Sequence, residues 1–158
     1  MKDQQLHLQK VNKTLNFVAQ KLNTLNIKWF LGASGALMVH GLDVIPWDLD
    51  IFTTAKNVKI LEKEFKKYVI NPLHYFDQVN QKELEFQMKI NDIAVEICEL
   101  SDFSNLQIIN FQGISIPVNS LQTELNFYQN RQGKEEIVKL IKEKLNREKP
   151  DDQQKYLF

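Results

Sequence analysis

Apolar residues near the start of the chain recur at helical intervals. Val11, Leu15, Val18, Leu22 and Leu25 step by four and three, which predicts one amphipathic helix from about residue 4 to residue 25. Ile27 to Leu31 follows as a compact apolar run closed by Gly32, the length of a buried strand. Gly32-Ala33-Ser34-Gly35 reads as a tight turn. Ala36 to His40 then predicts a short helix, with Ser34 near its N-cap and Gly41 at its C′ position. Beyond Pro46, the stretch Trp47 to Phe52 alternates acid with hydrophobe, which is strand behaviour. Thr53 or Thr54 caps a further helix carrying Val58, Leu61, Phe65 and Tyr68 at helical spacing, its lysines forming a solvated face.

The second half of the chain begins with strict alternation. Leu84, Phe86, Met88 and Ile90 alternate with polar residues, Asn91-Asp92 supplies a turn, and Ile93, Val95 and Ile97 resume the period of two: a β-hairpin. A second hairpin joins Leu106–Phe111 to Ile114–Val118 through Gln112-Gly113, with Pro117 pointing to an edge strand. Ser120 opens a helix that ends near Gly133. Residues 134–147 form a last helix, with Ile137, Leu140, Ile141 and Leu145 inward and Glu135–Lys139 and Glu143–Arg147 paired at i,i+4. The fold expected is α/β (α+β): a small mixed sheet of about five strands, helices mainly on one face, acids at one edge. One domain spans residues 1–147, followed by a polar tail over 148–158.

Composition narrows the classes of function. Twenty Lys+Arg balance twenty Asp+Glu, so no broad field steers the molecule onto nucleic acid or anionic lipid. The single cysteine, Cys98, excludes a disulfide scaffold and suits a reducing cytoplasm. MKDQQLHLQK lacks the apolar run of a secretory signal, and the uncharged stretch Trp29–Leu42 is too short to span a bilayer. The expectation is a soluble cytoplasmic protein with no membrane partner. P-loop, dinucleotide-binding and zinc-protease motifs are missing, and one Cys with three scattered His makes no structural zinc site.

Candidate chemistry concentrates in WFLGASGALMVHGLDVIPWDLDIF. On a strand Asp48 and Asp50 share one face, roughly 6.6 Å apart, within reach of one divalent cation or a close pair. Glu96 sits among apolar neighbours on the second hairpin strand and needs a partner. Were that strand to lie beside Asp48–Phe52, three acids would converge, an oxygen-only set suited to Mg²⁺. Upstream, Gly32 and Gly35 allow close approach of the main chain, and Ser34 offers a hydroxyl at a helix start that favours anions. Arg131 and Lys134 are cations available to neutralise phosphate, or ordinary helix-terminus charges.

Leu31-Gly32-Ala33-Ser34, the short helix ending in His40-Gly41, Asp48-Leu49-Asp50-Ile51 and Val95-Glu96-Ile97 together resemble the minimal nucleotidyltransferases of the DNA polymerase beta-like superfamily. The likeness covers about Ile27 to Leu145, including a C-terminal stretch from Ile116-Pro117-Val118 through Tyr128, Arg131, Gly133 and Lys134. It implies a nucleotidyltransferase-like fold in which Asp48 and Asp50 hold Mg²⁺ (or Mn²⁺) and Glu96 completes the site as base. Gly32, Ala33 and Ser34 would contact the nucleoside triphosphate, the substrate alongside an acceptor hydroxyl. Ala33 stands where many members carry Gly or Ser, and Glu96 replaces the commoner Asp. The implied activity is transfer of a nucleoside monophosphate, ATP being one donor, to a small molecule such as an antibiotic, to tRNA or to a protein.

Plainer readings stand beside these. The glycines serve close packing, His40 caps or packs, Cys98 is a small buried hydrophobe, and Trp29 and Trp47 are core or rim aromatics. His7 and His74 carry no signal. The alternative function is an inactive nucleotidyltransferase-like nucleotide-binding or interaction module, as in a toxin–antitoxin pair. Hydrolysis of a phosphate ester by the same acids comes third.

Overall fold

In the computed structural model, which describes residues 1–78 and 81–149, seven strands form one mixed sheet. Most of the predicted tail therefore lies outside the described residues. The elements in order are α1 (Lys2–Thr24), β1 (Trp29–Gly32), α2 (Ala33–Val39), β2 (Asp48–Thr53) and α3 (Ala55–Glu64). A 3₁₀ turn (Lys66–Tyr68) leads to β3 (Val69–Gln78), β4 (Gln81–Ile90) and β5 (Ile93–Glu99). The chain continues with β6 (Leu106–Phe111), β7 (Ile114–Asn119), α4 (Leu121–Tyr128) and α5 (Glu135–Glu148). Strand order is β3-β4-β5-β2-β1-β7-β6, with β2–β5 and β1–β7 parallel and the other pairs antiparallel.

Local chemistry accounts for most of these boundaries. The two hairpins read from the sequence turn through two residues at positive φ, Asn91 and Asp92 at 52° and 65° and Gln112 and Gly113 at 53° and 84°. That geometry matches the twist of the flanking strands. The Thr54 hydroxyl caps α3 by accepting from Asn57 N–H at 3.3 Å, and Ser120 caps α4 by accepting from Thr123 N–H at 3.2 Å. On α1, Val11, Leu15, Val18 and Leu22 are fully buried, each worth ~1.5–3 kcal/mol by its removal from water. They pack with Val58 and Leu61 of α3 onto the face of the sheet formed by Leu49, Ile51, Phe86, Met88, Val95 and Ile97. A smaller cluster of Leu37, Leu42, Leu121, Leu125, Tyr128 and Ile141 joins α2, α4 and α5.

Several expectations are corrected. The sheet has seven strands rather than about five; the strand without an alternation signal is β3, whose ten residues include Pro72 and face solvent at Ile70, Tyr75 and Phe76. The acids sit at the middle of the sheet, not at its edge, because β2 has three strands on either side. Pro117 lies on β7, which is interior; the edge strand of that hairpin is β6. β7 meets β1 at the registered pair Leu31–Val118, so this junction asks for little ladder bonding. Helix α2 starts at Ala33 rather than Ser34, and α4 stops at Tyr128, well before Gly133. On α5 the ion pair formed among the described residues is Lys144–Glu148 at 3.6 Å, not the two predicted pairs. No helix among the described residues is long and apolar enough to cross a membrane.

Candidate functional site

Three separate stretches of chain are brought into one row by strand register. Gly32 at the end of β1 pairs with Asp50 on β2, and Asp50 pairs with Glu96 on β5. Neighbouring strands lie about 4.8 Å apart, so the Asp50 and Glu96 backbones are adjacent, with Asp48 two residues back along β2. Because Leu49, Ile51, Val95 and Ile97 take the core face, Asp48, Asp50, Glu96 and Cys98 emerge on the opposite one. Strand β4 extends this face with Glu85 opposite Cys98 and Gln87 opposite Glu96. Gln87 donates from Nε2 to Glu96 Oε1 at 2.7 Å.

Crowding of acids has a direct electrostatic result. Burial first, then the charges of Asp48 and Glu96, a hydrogen bond shared with Glu96, and the charge of Glu124 push Asp50 up to about 7. Asp50 therefore holds its proton to a much higher pH than an ordinary aspartate does. Three carboxylates on two neighbouring strands make an oxygen donor set that matches a hard divalent cation, and a cation would relieve the repulsion that lifts Asp50. As the side chains stand, no three His, Cys, Asp or Glu groups among the described residues form a ready metal cluster. One Glu96 oxygen, Oε1, is engaged by Gln87, which leaves Oε2 as the oxygen open to a shared cation.

Beside this row the β1–α2 turn is tightly determined. A Cβ on Gly32 would come within 2.6 Å of Phe52 Cε2, so close packing by itself favours glycine there, whereas one on Gly35 would meet Leu31 Cδ1 at 3.0 Å and ask that side chain to give by a few tenths of an ångström. Ala33 adopts φ +53°, a left-handed conformation that costs a non-glycine residue roughly 1–2 kcal/mol. Its N–H donates to Oε1 of Glu124 at 3.1 Å. Ser34, half-buried, lies in the first turn of α2.

Glu124 escapes the sequence reading, yet among the described residues it is the one buried carboxylate, 2% exposed on α4. The same Oε1 also accepts from Asn119 Nδ2 at 3.0 Å, and the Asn119 carbonyl in turn bonds His40 Nε2 at 2.7 Å. Burial raises the Glu124 pKa, against the lowering effect of its bonds from Asn119 and Ala33. A signal was present: Leu121, Glu124, Leu125 and Tyr128 form an inward stripe at helical spacing, and an acid on such a stripe needs donors. Tyr128 faces the same region; burial, then Glu124 and Asp50, push its phenol up to about 12, and Arg131 opposes this.

The remaining candidates separate clearly. Arg131 is exposed, its guanidinium 3.8 Å from the centre of the Phe127 ring, and Lys134 is exposed at the start of α5; neither contacts the acid row. His40 is a C-cap and packing histidine, its pKa lowered by burial. Cys98 donates from Sγ to Glu85 Oε2 at 3.6 Å, and burial pushes its thiol well up, leaving it unreactive. Trp29 is core, whereas Trp47 is 80% exposed at the rim, its ring centre 4.7 Å from that of His7. His74, silent in the sequence, bonds Glu85 Oε1 through Nε2 at 2.6 Å.

No protein-family profile matches this chain, and no curated protein matches it in sequence. Solved structures do match in shape. A Thermotoga maritima protein, TM1012, provisionally assigned as a nucleotidyltransferase, superposes with a TM-score of 0.70 at 20% identity, covering 87% of this chain and 93% of its own. The lincosamide antibiotic adenylyltransferase LnuA, solved with lincomycin, gives 0.59 at 12% identity over 82% of this chain and 95% of that one. ANT(2″)-Ia, solved with adenylyl-2″-tobramycin, gives 0.55 at 13% identity over 87% and 89%. The fold is nucleotidyltransferase-like, and at these identities the likeness speaks for the fold.

Proposed function

We propose that this nucleotidyltransferase-like chain is a Mg²⁺-dependent enzyme that moves a nucleoside monophosphate from a triphosphate to a hydroxyl of an acceptor and releases pyrophosphate. The observation that carries the reading is the register that aligns Gly32, Asp50 and Glu96 across three neighbouring strands, with Asp50 lifted to about 7 by burial and then by its acidic neighbours. Asp48, Asp50 and Glu96 would hold the metal, which supplies charge neutralisation at the phosphates. Glu96 takes the proton of the acceptor hydroxyl, whose oxygen forms the bond to the α-phosphorus while the bond to the bridging oxygen breaks and pyrophosphate leaves with that electron pair. Ser34 and the Gly32–Ala33 backbone orient the triphosphate. Small hydroxyl-bearing molecules are the first acceptors to try, since two structures of the same fold carry lincomycin and adenylyl-tobramycin.

Incubating the protein with Mg²⁺, each labelled nucleoside triphosphate and a panel of acceptors tests this reading. Transfer of label to an acceptor with release of pyrophosphate is the expected result; absence of triphosphate binding with every nucleotide would sink it. Label released as free monophosphate would instead identify a hydrolase. One observation favours the inactive binding module: the Ala33 N–H is already occupied by Glu124. A module of that kind would bind nucleotide without metal-dependent transfer, and Asp48→Asn with Asp50→Asn would leave its binding unchanged.

A further inference from the structure

We infer that Glu124 is a positioning residue of the nucleotide site, holding Ala33 in the left-handed conformation that presents the Gly32–Ala33–Ser34 turn to the acid row; the inference rests on the nucleotide-binding reading above. A carboxylate buried to 2% exposure on an otherwise apolar helix stripe is unfavourable unless its oxygens are satisfied. Here a single oxygen gathers two donors, the Ala33 amide at 3.1 Å and the Asn119 side-chain amide at 3.0 Å. The two partners come from different places: Ala33 opens α2, and Asn119 ends β7, where its carbonyl is also held by His40 at the far end of α2. Helix α4 is thereby tied to both ends of the short helix that follows Gly32.

Ala33 is the residue that needs the tie. At φ +53° an alanine sits in a region suited to glycine, and an alternative right-handed turn would be open to it without the bond to Glu124. Register puts the preceding Gly32 directly against Asp50, so any relaxation of Ala33 displaces the turn relative to the carboxylates. Displacements of about 1 Å at such a place are large for the binding and orientation of a triphosphate. Glu124 does not touch substrate in this scheme; it acts through the Ala33 backbone.

The test measures Mg²⁺-triphosphate affinity by calorimetry for the full chain, first with each of the four common nucleoside triphosphates and then with the tightest. Alongside it runs hydrogen exchange at the Ala33 amide. Glu124→Ala should weaken binding about tenfold and deprotect that amide, since its acceptor is gone. Glu124→Gln keeps a carbonyl oxygen for both donors and should stay within about threefold of wild type. In an Ala33→Gly background, where φ +53° carries no penalty, the loss from Glu124→Ala should shrink to within about threefold. This rescue separates positioning from a general loss of folding, which glycine at position 33 would not restore. Wild-type affinity in a folded Glu124→Ala, failure of Gln to rescue, or an undiminished loss in the Ala33→Gly background overturns the inference alone. A wild type that binds none of the four triphosphates overturns the nucleotide reading and the inference with it.

Discussion

Replacing Asp50 by Asn should make the ligand-free protein more stable while removing its response to Mg²⁺-nucleotide. Asp50 is lifted from the ordinary aspartate value of 3.8 to about 7, and at about 1.4 kcal/mol per tenfold change in proton affinity the fold opposes its ionisation by ~4 kcal/mol. Its half-buried position on an open face and the proton it shares with Glu96 reduce what a neutral isostere recovers to about 2 kcal/mol. An Asn side-chain amide also donates to Glu96 as the protonated Asp does. The sign follows from proton counting. Between about pH 4 and pH 7 the folded state holds a proton that the unfolded chain has lost, so wild-type stability falls as pH rises through this window and levels off above it. Urea unfolding in EDTA across about pH 4 to 9 should give curves that coincide at the acid end and separate to about 2 kcal/mol at the alkaline end, with unchanged m. Adding Mg²⁺ and triphosphate at about pH 8 should raise wild type alone. An Asp50→Asn protein less stable than wild type at that pH, or a difference that does not vary with pH, would refute the reasoning.

Other expectations rest on single contacts. Gly32→Ala brings a methyl within 2.6 Å of the Phe52 ring and should cost ~1–3 kcal/mol in chemical denaturation, with partial relief in a Phe52→Leu background. Leu15→Ala, which empties a fully buried site between α1 and the sheet, should lose ~2–5 kcal/mol in the same assay. His40 titrates below its ordinary value because it is buried, so the unfolded chain binds the proton first and this group's contribution fades as pH falls below about 6.5. Comparing wild type with His40→Asn should show a stability difference that shrinks on acidification; a difference constant from about pH 8 to pH 5 would contradict that.

Features governed by neighbours in the chain were legible in advance. The stripe Val11–Leu15–Val18–Leu22 marks its own helix because burial follows the helical period. Strict alternation from Leu84 to Ile97 marks a hairpin and assigns Glu96 to the polar face. Thr54 and Ser120 announce helix starts because a cap is a bond three residues long. Strand β3 was not legible: with Pro72 inside it and solvent on its outer edge, no period of burial is imposed on its residues.

Sequence by itself determined which residues are acids, glycines and inward-facing hydrophobes, and that Asp48 and Asp50 share a strand face. Tertiary structure alone decided that β5 runs parallel to β2 with Glu96 opposite Asp50, that β2 is central, and that Glu124 reaches back 91 residues to the Ala33 amide. Helical and strand periods are set by backbone geometry within a few residues. Strand register and a buried carboxylate's choice of donor, by contrast, are set by how the whole core closes, and the raised affinity of Asp50 for its proton exists only once that closure has crowded the acids together.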